Sequence, residues 1–217
     1  MTTQIEKTIK NLTANGMEVH FVEDKAAALE KVQELMPSGS TVAVGGSISL
    51  VQIGALNLLR SGDYNFLDRY KEGLTPDEIG EIFRASMSAD FYLSSSNAIT
   101  ENGELYNVDG NCNRISAIAF GPKKVIIVAG VNKIVPDLSA AVLRVKTVAA
   151  PKNCARLGIN SYCSKAGYCL SIDRGEGAVM GAGCNSDSRI CCNTLVSAKQ
   201  RTSDRVKVIL VNENLGF

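Results

Sequence analysis

Residues 121–150 read GPKKVIIVAGVNKIVPDLSAAVLRVKTVAA. The run KKVIIVAG is β-branched and apolar until it meets Gly130, which is the pattern of a buried strand. PDLSAAVLRVKTVAA reads as a helix capped near Asp137, with Pro151 following it. A buried strand, a short polar turn and an amphipathic helix together form the repeating half of a parallel α/β sheet.

The same alternation extends in both directions. Residues 3–15 read as a helix stopping near Gly16, and GMEVHFVED reads as a strand. Asp24 can cap KAAALEKVQELM, whose Ala27, Ala28, Leu29, Val32, Leu35 and Met36 form an apolar face that Pro37-Ser38-Gly39 ends. TVAVGG is a short strand, and SLVQIGALNLLRSG is a helix closed by Gly62. Thr75, Pro76 and Glu78 mark a capped helix start in TPDEIGEIFRAS. ADFYLSSSNAIT reads as strand then loop, and NGELYNVDG as part of a hairpin around Asn102-Gly103. DRVKVILVNENLGF is a last strand. The expected fold is α/β: an open, mostly parallel sheet with helices on both faces, a hairpin and a cysteine-rich C-terminal segment. One domain over residues 1–217 is expected, with 154–193 as an insertion or subdomain lacking clear periodicity.

Composition narrows the function classes. The chain has 217 residues, 45% of them hydrophobic and 21% charged, as in ordinary globular proteins. Lys plus Arg is 23 against 22 Asp plus Glu, a net charge of +1 that argues against nucleic acid or an anionic membrane as main partner. The single histidine, His20, lies within a strand and gets no catalytic role. MTTQIEKTIKNL lacks the apolar core of a signal peptide, and VIIVAGV is too short to span a bilayer. A cytoplasmic location is expected.

Ligands of open α/β sheets bind beyond the carboxyl ends of the strands, and three polar loops fall there. Gly45-Gly46-Ser47-Ile48-Ser49 follows TVAV. Its glycines allow close backbone approach, and its N–H and hydroxyl groups suit phosphate or carboxylate. A tight turn with a serine cap accounts for it equally well. The second loop runs from Ser94 through Asn97, Thr100, Glu101, Glu104, Asn107, Asp109 and Asn113 to Arg114. Paired Asn-Gly and Asp-Gly turns explain its glycines and asparagines, but not the recurrence of Glu101, Glu104 and Arg114. The third, Gly130-Val131-Asn132-Lys133, sets an ammonium just past a buried strand. Taken singly, that lysine reads as solvated.

Six of the seven cysteines (Cys154, Cys163, Cys169, Cys184, Cys191 and Cys192) crowd into the last third of the chain. In a reducing compartment they are free thiols, metal ligands or redox groups rather than structural disulfides. No CxxC pair is present, so neither a zinc-ribbon nor a ferredoxin spacing is met. Cys112 and Cys154 fit a buried, unreactive role.

SSSNAITENGELYNVDGNCNR, FGPKKVIIVAGVNKIVPDLSAAVLRVKTVAAPKNCARL and VGGSISLVQIG together resemble the LUD domain, the lactate-utilisation family. The resemblance covers nearly the whole chain. It implies a fold like that of ribose-5-phosphate isomerase, NagB and the CoA transferases. It also implies a role beside iron–sulfur and oxidoreductase partners in organic acid (lactate) metabolism. The chain is most similar to a stand-alone subgroup with a cysteine-bearing C-terminal segment. That likeness puts Cys163, Cys169, Cys184 and Cys191 at the positions of a ligand set for an iron–sulfur cluster or zinc, anchored by Ser188-Arg189-Ile190-Cys191. The insert between Cys169 and Cys184 departs from the subgroup.

A small anionic metabolite is therefore the expected ligand. Gly45, Gly46, Ser47, Ser49, Asn97, Thr100, Asn107, Asp109, Asn113, Arg114 and Asn132 are the candidate binding residues. Glu101 and Lys133 are the candidate catalytic pair, as proton-exchanging or ligand-orienting groups. A metal or iron–sulfur electron-transfer partner without catalysis is the alternative from another class. A transferase or isomerase is the third. An exposed strand edge could support a homo-oligomer.

Overall fold

The computed structural model describes residues 2–217. The elements run α1 (Thr3–Ala14), β1 (Glu18–Val22), α2 (Lys25–Leu35), β2 (Thr41–Val44), α3 (Ile48–Gln52), α4 (Ala55–Leu59), β3 (Asn65–Leu67) and α5 (Pro76–Ala85). They continue with β4 (Phe91–Ser94), β5 (Ala98–Thr100), β6 (Leu105–Asp109), α6 (Asn113–Ala119), β7 (Lys124–Gly130), β8 (Ile134–Val135), α7 (Leu138–Arg144) and α8 (Ala150–Arg156). The last are α9 (Tyr162–Ala166), α10 (Leu170–Asp173), β9 (Asn193–Ser197) and β10 (Val206–Val211). No helix is long and apolar enough to cross a membrane among the described residues.

Six strands form a sheet in the order β1-β10-β7-β4-β2-β3, every pair parallel. Side-chain alternation divides it into two cores. Tyr92, Val125, Ile127, Val208 and Leu210 pack with Ile5 and Leu12 of α1 and Ile118 of α6. Leu93, Ile126, Val128 and Ile209 pack on the opposite face with Val32 of α2, Leu50 of α3 and Leu59 of α4. From Val125 onward the central strand β7 is thus buried on both sides, each large aliphatic contributing roughly 1.5–3 kcal/mol. The expected fold class is present.

A second, four-stranded sheet, β8-β5-β6-β9, lies beside the first. Here the structure extends the sequence reading. Ala98–Thr100, expected as loop, is a strand, because all three side chains are buried between the first core and α7. It pairs with β6 across the Asn102-Gly103 turn. Gly103 has φ +83°, and a Cβ there would come within 2.5 Å of the Asn11 carbonyl carbon in α1. β9 emerges from the cysteine-rich segment and pairs antiparallel with β6. Its alternation is only half buried, which hides it from a periodicity reading.

Two helix boundaries also differ. SLVQIGALNLLRSG breaks into α3 and α4 at Ile53-Gly54. The helix from Leu138 does not stop before Pro151 but continues through a π-helical turn, Val145–Ala149, into α8. Proline lacks the N–H of an α-helical ladder, and the wider π turn absorbs that gap. The caps at Asp24, Thr75 and Asp137 form as expected, Thr75 and Glu78 making a reciprocal capping box.

Candidate functional site

β7, β4 and β2 are neighbours, so the three loops beyond their carboxyl ends meet. Lys133 lies at the meeting point, in a 3-10 turn after β7, and is 3% exposed. Its Nζ donates to Ser95 Oγ of the second loop at 2.9 Å and to Ser49 Oγ of the first at 3.1 Å. No carboxylate of the described residues pairs with it. Burial first, and then the nearby Arg144 and Arg114 guanidinium groups, push its pKa down from 10.5 to about 7. A lysine so placed exchanges a proton near neutrality and carries a free lone pair when unprotonated.

Arg114 is the frame of the second loop rather than a free ligand. Nη1 donates to Ser95 O at 3.0 Å and Asn107 Oδ1 at 2.6 Å. Nη2 donates to Asn97 Oδ1 and Val108 O, both at 2.9 Å, and pairs with Asp109 at 2.7 Å. Asp109 also accepts from the Ile115 N–H at 2.8 Å. Gly45 permits this frame: a Cβ there would come 2.9 Å from Ser94 Oγ and 3.0 Å from the Arg114 side chain.

The loops enclose a cavity of about 400 Å³. Of the residues the sequence singled out, Gly46, Ser47, Asn97, Asp109, Asn113, Arg114 and Lys133 line it. Gly45, Ser49 and Asn107 stand behind that wall and hold it. Asn132 accepts from the Leu215 N–H at 3.0 Å and ties the third loop to the C-terminal segment. Thr100 and Glu104 bond to each other within the hairpin. Glu101 does not reach the cavity. Its carboxylate bonds Gln4 and Lys7 of α1 at 3.0 Å each, because the hairpin turn folds back onto that helix.

The cavity also has walls that were not among the expected binding residues. Arg69, Arg156 and Arg189 add three guanidinium groups, and Asn153, Gly216 and Phe217 contribute further lining. Arg69 Nε is buried without a hydrogen-bond partner among the described residues, and its guanidinium stacks over Tyr70 and Phe83 at 5.0 and 4.8 Å. Nothing local marks Arg69 in SGDYNFLDRY; only its place after the edge strand β3 brings it here.

The cysteines are seven free thiols. Among the described residues, no group of three or more His, Cys, Asp or Glu side chains could hold a metal ion. The expected set of Cys163, Cys169, Cys184 and Cys191 does not form such a group, although Cys191 lies near enough to Cys154 and Cys169 for their charges to interact. Cys163 lies 3.7 Å from Cys154 instead. Cys169 takes hydrogen bonds from Lys146 Nζ and Ser171 Oγ at 3.4 Å each. Burial pushes that thiol up, but those bonds and the ammonium charge outweigh it and leave it below its ordinary value. Burial pushes Cys154 up to about 11. Arg189 donates to the carbonyls of Met180, Cys184 and Cys191, so the Ser188–Cys191 motif folds its own loop.

This is an open parallel α/β protein with a cationic pocket at its strand ends. The chain belongs to the LUD domain family, whose model matches residues 5–211. A comparison with curated proteins gave no match. Among solved structures the chain is similar to a DUF162 family protein from Deinococcus radiodurans, with a TM-score of 0.53, 15% identity and 96% of each chain covered. That likeness shows the fold. It is also similar to ribose 5-phosphate isomerase from Plasmodium falciparum over 52% of each chain, at 20% identity and a TM-score of 0.33.

Proposed function

We propose that the pocket beyond β2, β4 and β7 binds a small organic anion, and that the chain serves organic acid (lactate) utilisation. The observation that carries this reading is Lys133: a buried amine in a cavity, held by two serine hydroxyls and no carboxylate. A buried cation without a counter-ion is unfavourable, and an anionic ligand would remove the deficit. Arg69, which lines the same cavity, supplies the second cationic contact. Asp109 offers no competing charge, because Arg114 and the Ile115 N–H occupy it. Membership of the LUD family supplies the metabolic setting. In this reading Lys133 exchanges protons with the ligand while Arg69, Ser47 and Asn113 orient it.

The cavity exceeds the volume of a bare three-carbon acid, so the ligand screen is broad. Thermal unfolding would be followed with lactate, pyruvate, sugar phosphates and CoA thioesters. At least one short carboxylate or its conjugate raises the melting temperature, and Arg69→Gln removes the effect. Equal melting temperatures across the whole set would refute the reading.

A further inference from the structure

We infer that Lys133 captures the carbonyl carbon of a 2-oxo acid as a covalent imine, with Arg69 holding the carboxylate. The inference rests on the proposed anion pocket and goes beyond it by naming the reacting atom and the ligand class.

The geometry supplies what imine formation needs. Lys133 lines the cavity and is otherwise enclosed, so a ligand in the cavity is the approach left to it. Ser95 and Ser49 fix the amine from two directions and keep it from wandering. No carboxylate holds it in the ammonium form, while Arg144 and Arg114 oppose that form, which leaves a neutral, nucleophilic fraction near neutral pH. Arg69 lines the same cavity, and its guanidinium is suited to a carboxylate. A 2-oxo acid carries a carboxylate one bond from a carbonyl, one group for the arginine and one for the amine.

The step balances without an oxidant or reductant. The Lys133 lone pair forms a C–N bond to the carbonyl carbon as the C=O π pair moves to oxygen. A proton passes from nitrogen to that oxygen, giving a carbinolamine. The hydroxyl then leaves as water, the second amine proton going with it, and a C=N bond remains. The hydroxyls of Ser49 and Ser95, already bonded to Nζ, are placed to relay those protons.

The test uses the full chain with pyruvate as probe and sodium cyanoborohydride as trap, read by intact mass and peptide mapping. The expected result is one reduced adduct per chain, located on Lys133. It is absent from Lys133→Met and Lys133→Arg. Arg69→Gln, which leaves the amine in place, lowers the yield at subsaturating pyruvate at least about tenfold, as loss of a charge-assisted hydrogen bond implies. Lactate, which has no ketone carbonyl, gives no adduct and competes with pyruvate. If pyruvate raises the melting temperature but no adduct forms on Lys133, or adducts scatter over surface lysines, the covalent step is overturned and the pocket reading stands. If pyruvate neither stabilises nor labels the protein while another anion does stabilise it, the 2-oxo acid is the wrong ligand class. If no anion stabilises it, both readings fall.

Discussion

Lys133 ties the fold to the chemistry through a charge that the interior disfavours. Its ordinary pKa is 10.5 and its folded value is about 7, the difference arising first from burial and then from Arg144 and Arg114. Below about pH 7 both the folded and unfolded chains hold the proton, and the full penalty of burying the ammonium is present. Between about 7 and 10.5 the unfolded chain keeps the proton while the folded one releases it, so folding stability from this group rises with pH. Denaturant midpoints of wild type and Lys133→Met across that window will show the difference. The wild type gains on the variant as pH increases, and parallel curves would refute the assignment. Arg114 poses the opposite case, a buried pair with Asp109. Arg114→Met leaves Asp109 charged and enclosed, and urea unfolding is expected to show a loss of about 3–5 kcal/mol.

At the scale of elements, capping and aliphatic runs were readable in the sequence because they are local. Asp24, Thr75 and Asp137 stand where side-chain caps are required, and VIIV has no alternative to a doubly buried strand. β5 and β9 were not readable, since three residues or a half-buried alternation give no period. The π turn before Pro151 was hidden for a related reason, because five residues of wider helix leave no pattern in composition. Gly103 connects this scale to the site: its turn carries Glu101 to α1 instead of to the pocket. Gly103→Ala meets both a positive φ and the α1 backbone, and a loss of at least about 1–3 kcal/mol in thermal unfolding is expected. An unchanged melting temperature would mean that the hairpin can leave α1 freely.

For the whole molecule, the net charge of +1 conceals an uneven distribution. Arg69, Lys133, Arg156 and Arg189 share one cavity whose acidic members, Asp109 and Asp187, are fewer. The loops at β2, β4 and β7 were recognisable as ligand-bearing because topology alone assembles strand ends. Arg69, Arg156 and Arg189 come from segments distant from these loops, and their place in the cavity became visible only in three dimensions. The same separation governs the cysteines, where sequence clustering suggested one ligand set and the fold pairs Cys163 with Cys154 and Cys169 with Lys146. Isothermal titration of pyruvate at neutral pH into the wild type, Arg69→Gln and Lys133→Met tests the central claim most directly. One saturable site per chain, weakened at least about tenfold in each variant, is the outcome the cationic pocket requires. Equal affinity in all three proteins, or no binding to any, would contradict it.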